Sequence, residues 1–199
     1  AWRPSRARSL TSRNMKTKKR VLHFIDSGGL YGAESVILNL SREMIAHGDY
    51  EPVIGCIVSK PGAASDLYDK AVELGLPAVR IVIANHLLPI HLPKAALALD
   101  KLNIDLIHCH GYKAFVFAFI IGRFMRLPVL STCHLWFLQG NPPFKMRVMI
   151  KCELFLYRFT PKVTCVSEPI KGFLMRAGIP SSRIQIIPNG LRIEDYQLP

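Results

Sequence analysis

The chain has 199 residues, of which 50% are hydrophobic and 20% charged, at a mean hydropathy of +0.22. That is enough apolar material for one substantial core, and it excludes disordered, collagen-like and low-complexity classes. Lys and Arg number 26 against 14 Asp and Glu, a net of +12, yet eight of those cations crowd the first 20 residues without a single acid.

Residues 1–19 read as a solvated basic tail, with Met15 as a candidate natural start. The tail contains no apolar segment of the kind a secretory signal requires. Beyond it a regular alternation begins. A short apolar run, Val21 to Ile25, ends in the turn Ser27-Gly28-Gly29-Leu30-Tyr31-Gly32. The spacing of Val36, Ile37, Leu40, Met44 and Ile45 then predicts a helix closing near Gly48. Strands are expected at Pro52 to Val58, Ala78 to Ile83, Ile104 to His108, Pro128 to Thr132, Val163 to Val166 and Ile184 to Ile187. Helices fall between them, near residues 64–74, 93–102, 113–125, 144–159 and 170–176.

Seven strands alternating with helices argue for a Rossmann-like, doubly wound α/β domain with a mostly parallel sheet and helices on both faces. Several strands are apolar throughout, as strands covered on both faces should be. The longest apolar run, Ala114 to Gly122, has nine residues, against about 20 for a spanning helix. The five cysteines (Cys56, Cys109, Cys133, Cys152 and Cys165) form no CxxC pair, and four of them sit in apolar strand-like runs. A reducing, cytoplasmic setting is expected.

Three features could carry chemistry. The loop from Ser27 to Glu34 places glycines at a helix N-terminus, where bare amides favour an anion, although a plain tight turn accounts for the same residues. Its spacing matches neither a dinucleotide fingerprint nor a Walker loop. Alternation puts His108 and His110 on one face of the fourth strand. His134 follows the fifth strand. With strand order 3-2-1-4-5-6, the glycine loop, His110 and His134 converge at the topological switch point, where such sheets bind ligands. Ordinary hydrogen-bonded structural histidines are the alternative. A zinc site from His108, His110, Cys133 and His134 fits no familiar ligand spacing, so no metal is expected. Nor does the basic tail, lacking interleaved aromatics, suggest nucleic acid. The stretch Phe144 to Phe159 mixes large apolar residues with Lys145, Arg147, Lys151 and Arg158. It reads either as a core-packed helix with a basic outer face or as an amphipathic helix on an anionic membrane.

Taken together, the opening Gly28 to Glu34, the stretch Asp105 to Gly111, Ser131 to Trp136, Val163 to Leu174 and the ending Ala177 to Gly190 resemble the N-terminal half of a family 4 glycosyltransferase of GT-B architecture. The resemblance runs from about Arg20 to Pro199. It implies an acceptor-binding domain over residues 20–187, a crossover starting in 188–199 and a C-terminal donor domain beyond. It implies a retaining transferase whose co-substrate is a nucleotide-sugar, with no bound cofactor, acting on a glycan or lipid-linked acceptor of polysaccharide biosynthesis. It maps a diphosphate or acceptor-phosphate loop onto Gly28, Gly29 and Gly32, a catalytic role onto His110 and an acceptor-lining role onto His134. Two departures stand out: Leu30 and Tyr31 lengthen the glycine turn, and Leu191-Arg192 replaces Val-Asp after Asn189-Gly190. The alternatives are a nucleotide-sugar epimerase of the same architecture and a non-catalytic sugar-binding module.

Overall fold

A computed structural model describes residues 18–84, 87–134 and 143–190. Within them lie seven strands: β1 Lys19–Ile25, β2 Tyr50–Val58, β3 Ala78–Val82, β4 Leu106–His110, β5 Val129–Cys133, β6 Val163–Cys165 and β7 Ile184–Ile186. Six helices separate them: α1 Gly32–His47, α2 Asp66–Glu73, α3 Leu88–Lys101, α4 Tyr112–Met125, α5 Phe144–Leu156 and α6 Glu168–Arg176. The strands form one sheet in the order β3-β2-β1-β4-β5-β6-β7, every pair parallel. The doubly wound architecture expected from the alternation is therefore present.

Alternation along the strands divides the core between the two faces of the sheet. Ile25, Ile54 and Cys56 pack against Ile37 and Leu38 of α1 and Leu67 and Ala71 of α2. Leu22 and Phe24 belong to the larger cluster, with Leu99 of α3, Phe115 of α4 and Tyr157 beyond α5. Each fully buried Leu, Ile or Phe contributes about 2 kcal/mol, so this two-sided burial dominates the favourable side of folding.

Most element boundaries shift slightly from the sequence expectation, and two of the differences bear on the core and the site. β4 starts at Leu106 rather than Ile104, because its ladder begins opposite Val21, and it continues through His110. Both histidines are thus inside the strand. Helix α3 begins at Leu88 with Pro89 in its first turn, which leaves Pro93 inside the helix rather than at its start. Pro89 has its φ preset for a helix, and Leu88 and Leu92 gain core contacts by extending it. Residues 1–17, the segment 135–142 and the residues after Gly190 lie outside the described residues, as do Trp136 and the Leu191-Arg192 departure, while Lys19, expected at the end of the basic tail, opens β1.

Candidate active site

β1 and β4 are neighbours in the middle of the sheet, and the chain leaves them for opposite flanks. A crevice opens between their carboxyl ends because no crossover covers that point. Here it forms a cavity of about 640 Å³. Its walls are the ends of β1 (Ile25, Asp26), β4 (His110, Gly111) and β5 (Cys133, His134), the first turns of α1 and α4, and Glu153 of α5. Gly111 has φ +87°, a left-handed conformation that glycine tolerates, and this turns the chain from His110 directly into α4.

The predicted residues divide. Gly32, His110 and His134 come together on the cavity wall. Gly28 and Gly29 are not among its lining residues. Instead the Ser27 hydroxyl donates to the Gly29 carbonyl at 2.6 Å, and the Tyr31 ring lies 3.0 Å from where a Cβ on Gly29 would stand. Leu30 and Tyr31, which lengthen this turn, are both exposed beside it. At the start of α1 the Tyr31 amide donates to the Glu34 carboxylate at 3.1 Å, so one orphan amide of the helix is already satisfied.

Charge in the cavity is paired or suppressed. Lys113 Nζ and Asp26 Oδ2 are 2.7 Å apart. Glu153 is buried and accepts the Tyr157 hydroxyl at 2.6 Å. Burial outweighs that hydrogen bond and pushes its carboxyl up to about 7, poising it near neutrality. Sequence reasoning passed over Glu153. Its signal was positional, since it lies three residues after the buried Ile150 and four before Tyr157, on one helix face.

His23 was missed as well, hidden in the apolar run of β1. Its ring joins those of His108, His110 and His134. His23 Nδ1 lies 3.3 Å from His110 Nε2, and His110 Nδ1 lies 3.2 Å from His134 Nε2. The His108 and His110 rings are 4.3 Å apart, centre to centre. Desolvation holds His23 down at about 3, His108 and His134 at about 4, and His110 well below the usual range, so all four are neutral at pH 7. The His108, His110, Cys133 and His134 grouping considered from sequence is not the one the fold gathers by distance. His23, His108 and His110 offer ring nitrogens within 4.8 Å of one another, close enough to surround a cation.

Comparison with solved structures places this architecture among known proteins. Anabaena HepE in complex with UDP-glucose superposes with a TM-score of 0.71 at 18% identity, over 90% of this chain and 46% of that one. The lipopolysaccharide outer core galactosyltransferase WaaB gives 0.61 at 16% identity, over 88% and 46%. The UDP-GlcNAc 2-epimerase of Methanocaldococcus jannaschii gives 0.53 at 15%, over 86% and 45%. The chain thus spans about half the length of the structures it matches. No curated protein sequence matches it. The family description does: residues 31–195 match Glycosyltransferase Family 4, and the chain belongs to that family.

Proposed function

We propose that this chain is the acceptor side of a retaining glycosyltransferase that takes a nucleotide-sugar donor. The observation that carries the reading is the convergence of Gly32, His110, His134 and Glu153 on one cavity at the switch point of the sheet. A sugar acceptor presents many hydroxyls, and such a wall offers neutral imidazoles and a carboxyl near its pKa as hydrogen-bond partners. The donor is inferred from HepE, which was solved with UDP-glucose. Residues 20–187 form the acceptor domain in this reading, and residues 188–199 begin the crossover to a second domain that holds most of the donor. His110 is the proposed catalytic residue, His134 lines the acceptor, and the turn bearing Gly28, Gly29 and Gly32 serves a phosphate.

Calorimetric titration of the 199-residue chain with UDP- and GDP-sugars tests this division. A few amide hydrogen bonds to a diphosphate, each about 1 kcal/mol net, barely exceed the entropy lost on association. Affinity no tighter than about millimolar is expected, the level a net of about 4 kcal/mol supplies. Micromolar binding would place the donor site in this half and overturn the division.

The acceptor is proposed to be a membrane-borne or growing glycan, met at the cytoplasmic face of a membrane. Support comes from α5, where core packing claims only part of the helix. Phe144, Val148, Phe155 and the following Phe159 are exposed, with the Phe155 and Phe159 rings in contact. Lys145, Arg147, Lys151 and Arg158 are exposed around them. Exposed apolar pairs four residues apart (Phe144 with Val148, Phe155 with Phe159), interspersed with basic side chains, match the pattern of a helix lying on an anionic surface. No helix among the described residues is long and apolar enough to cross a membrane. A chain shortened to begin at Lys18 is expected to bind vesicles of anionic lipid, to lose binding steeply with salt, and to lose it when Lys145, Arg147 and Lys151 become Gln. Equal binding to neutral vesicles would contradict the proposal.

A further inference from the structure

The four histidines are usually ambiguous one by one, because an imidazole nitrogen can donate or accept. Their outer partners remove the ambiguity. His23 Nε2 lies 3.3 Å from Met44 Sδ. A thioether can only accept, so the single proton of neutral His23 sits on Nε2 and its Nδ1 is bare. His110 must then donate from Nε2 to His23 Nδ1, which leaves His110 Nδ1 bare. His134 must in turn donate from Nε2 to His110 Nδ1. Its own Nδ1 is left without a proton.

A second chain is set the same way. The Thr164 hydroxyl donates to the Ser131 carbonyl at 3.0 Å, so it accepts from Thr132 at 2.7 Å, and Thr132 accepts from His108 Nε2 at 2.7 Å. Each chain ends inside the fold on an atom that cannot donate, and every proton points inward from the cavity.

We infer that the chain Met44–His23–His110–His134 fixes the tautomer of His134, so that this residue meets its ligand as a hydrogen-bond acceptor. The ligand group at that point is a hydroxyl, which can give a proton to Nδ1. A phosphate or carboxylate oxygen would face a lone pair there and be repelled. The site therefore separates its two substrates by proton direction: acceptor hydroxyl on the His134 side, anionic groups elsewhere. Met44 and His23 are positioning residues that act through His110, and His110, with both ring nitrogens engaged in the chain, exerts its proposed catalytic effect through His134. The identity of the hydroxyl as a sugar's rests on the proposed function; the tautomer does not, and it is read without any turnover.

The test is the nitrogen-15 spectrum of the full chain labelled at histidine, at pH 7.5, where long-range couplings distinguish the protonated from the bare ring nitrogen. Signals are assigned with single His→Gln variants. His23, His108, His110 and His134 are expected as one tautomer each, all with the proton on Nε2. Met44→Leu, which nearly conserves volume, removes the terminal acceptor and is expected to turn His134 into a mixture of both tautomers. Wild-type His134 protonated on Nδ1 would overturn the inference whether or not the variant folds. So would a folded Met44→Leu protein in which His134 stays wholly in the wild-type form. Zinc chloride supplies a third arm, because metal bound among His23, His108 and His110 takes one ring nitrogen of each and would shift those signals, and metal on His110 Nε2 would drive its proton to Nδ1. An unchanged spectrum is expected; that switch would make the cluster a metal site and refute the one-way chain.

Discussion

Lowering the pH from 7 to 4.5 is expected to unfold this domain. In the unfolded chain a histidine takes up a proton near pH 6.5, while in the fold burial keeps His23 neutral to about 3 and His108 and His134 neutral to about 4. A depressed folded pKa means that the unfolded state binds the extra proton, so stability is intact above pH 6.5 and declines below it. By pH 5 each of these three rings has removed about 2 kcal/mol, and His110 shifts in the same direction. Glu153 opposes them. Its folded pKa of about 7 lies above its unfolded value, so it adds stability in acid that is lost as the pH rises through 7. It returns roughly 2–3 kcal/mol by pH 5, which offsets less than half of the loss. Against a typical domain stability of about 5–15 kcal/mol, the midpoint should lie between about pH 5 and pH 4. Urea midpoints measured from pH 8 to pH 4.5 should fall most steeply below pH 6. In Glu153→Gln the midpoint at pH 8 should rise above wild type, an advantage that shrinks toward pH 5. A flat wild-type profile from pH 7 to pH 5 would mean that the four rings are not buried neutral.

The second large effect concerns turnover in the enzyme carrying both halves of the proposed architecture. His110 is 2% exposed and sits between two other imidazoles, so His110→Ala removes volume from the interior and orphans His23 Nδ1 and His134 Nε2. A combined stability loss of about 2–4 kcal/mol is expected, together with a fall in kcat of roughly a hundredfold or more. His134 is only half-buried at the wall. His134→Ala should leave the melting temperature within a few degrees of wild type while kcat/KM for the acceptor falls by about tenfold to a hundredfold. Rates must be compared per folded molecule, from active fractions measured by near-ultraviolet dichroism. If His110→Ala melts early yet turns over normally per folded molecule, His110 is structural and the catalytic assignment fails.

Much of this fold was legible because strands covered on both sides must be largely apolar, and several such runs stand out between helical patterns. The switch point followed from strand order, and with it the meeting of His110 and His134. Side-chain pairing across the sheet was far less legible. His23 and His108 are directly opposed on β1 and β4, but they are 85 residues apart and nothing local marks them as partners. Glu153 was hidden for a related reason: an acid among apolar and basic residues on a helix reads as solvated, and only the packing of α5 against α4 at the cavity buries it. The glycine loop shows the limit of motif reading. Gly28, Gly29 and Gly32 form one signal in sequence, but inserting Leu30 and Tyr31 leaves only Gly32 on the cavity wall.

The position of β1 also governs the order of assembly. β1 pairs with β2 at a separation of about 31 residues, but its other edge waits for β4, 85 residues further along the chain. Arg20 and Asp105 close that long loop: the Arg20 amide donates to the Asp105 carboxylate at 3.0 Å, and the Asp105 amide donates to the Arg20 carbonyl at 2.9 Å. Until they meet, a nascent chain carries β1 with one flank of unpaired amides and an apolar surface around His23, a template for mispairing with other chains. The strand that supplies the floor of the cavity is therefore also the point at which slow synthesis or crowding would most readily divert this protein into aggregates.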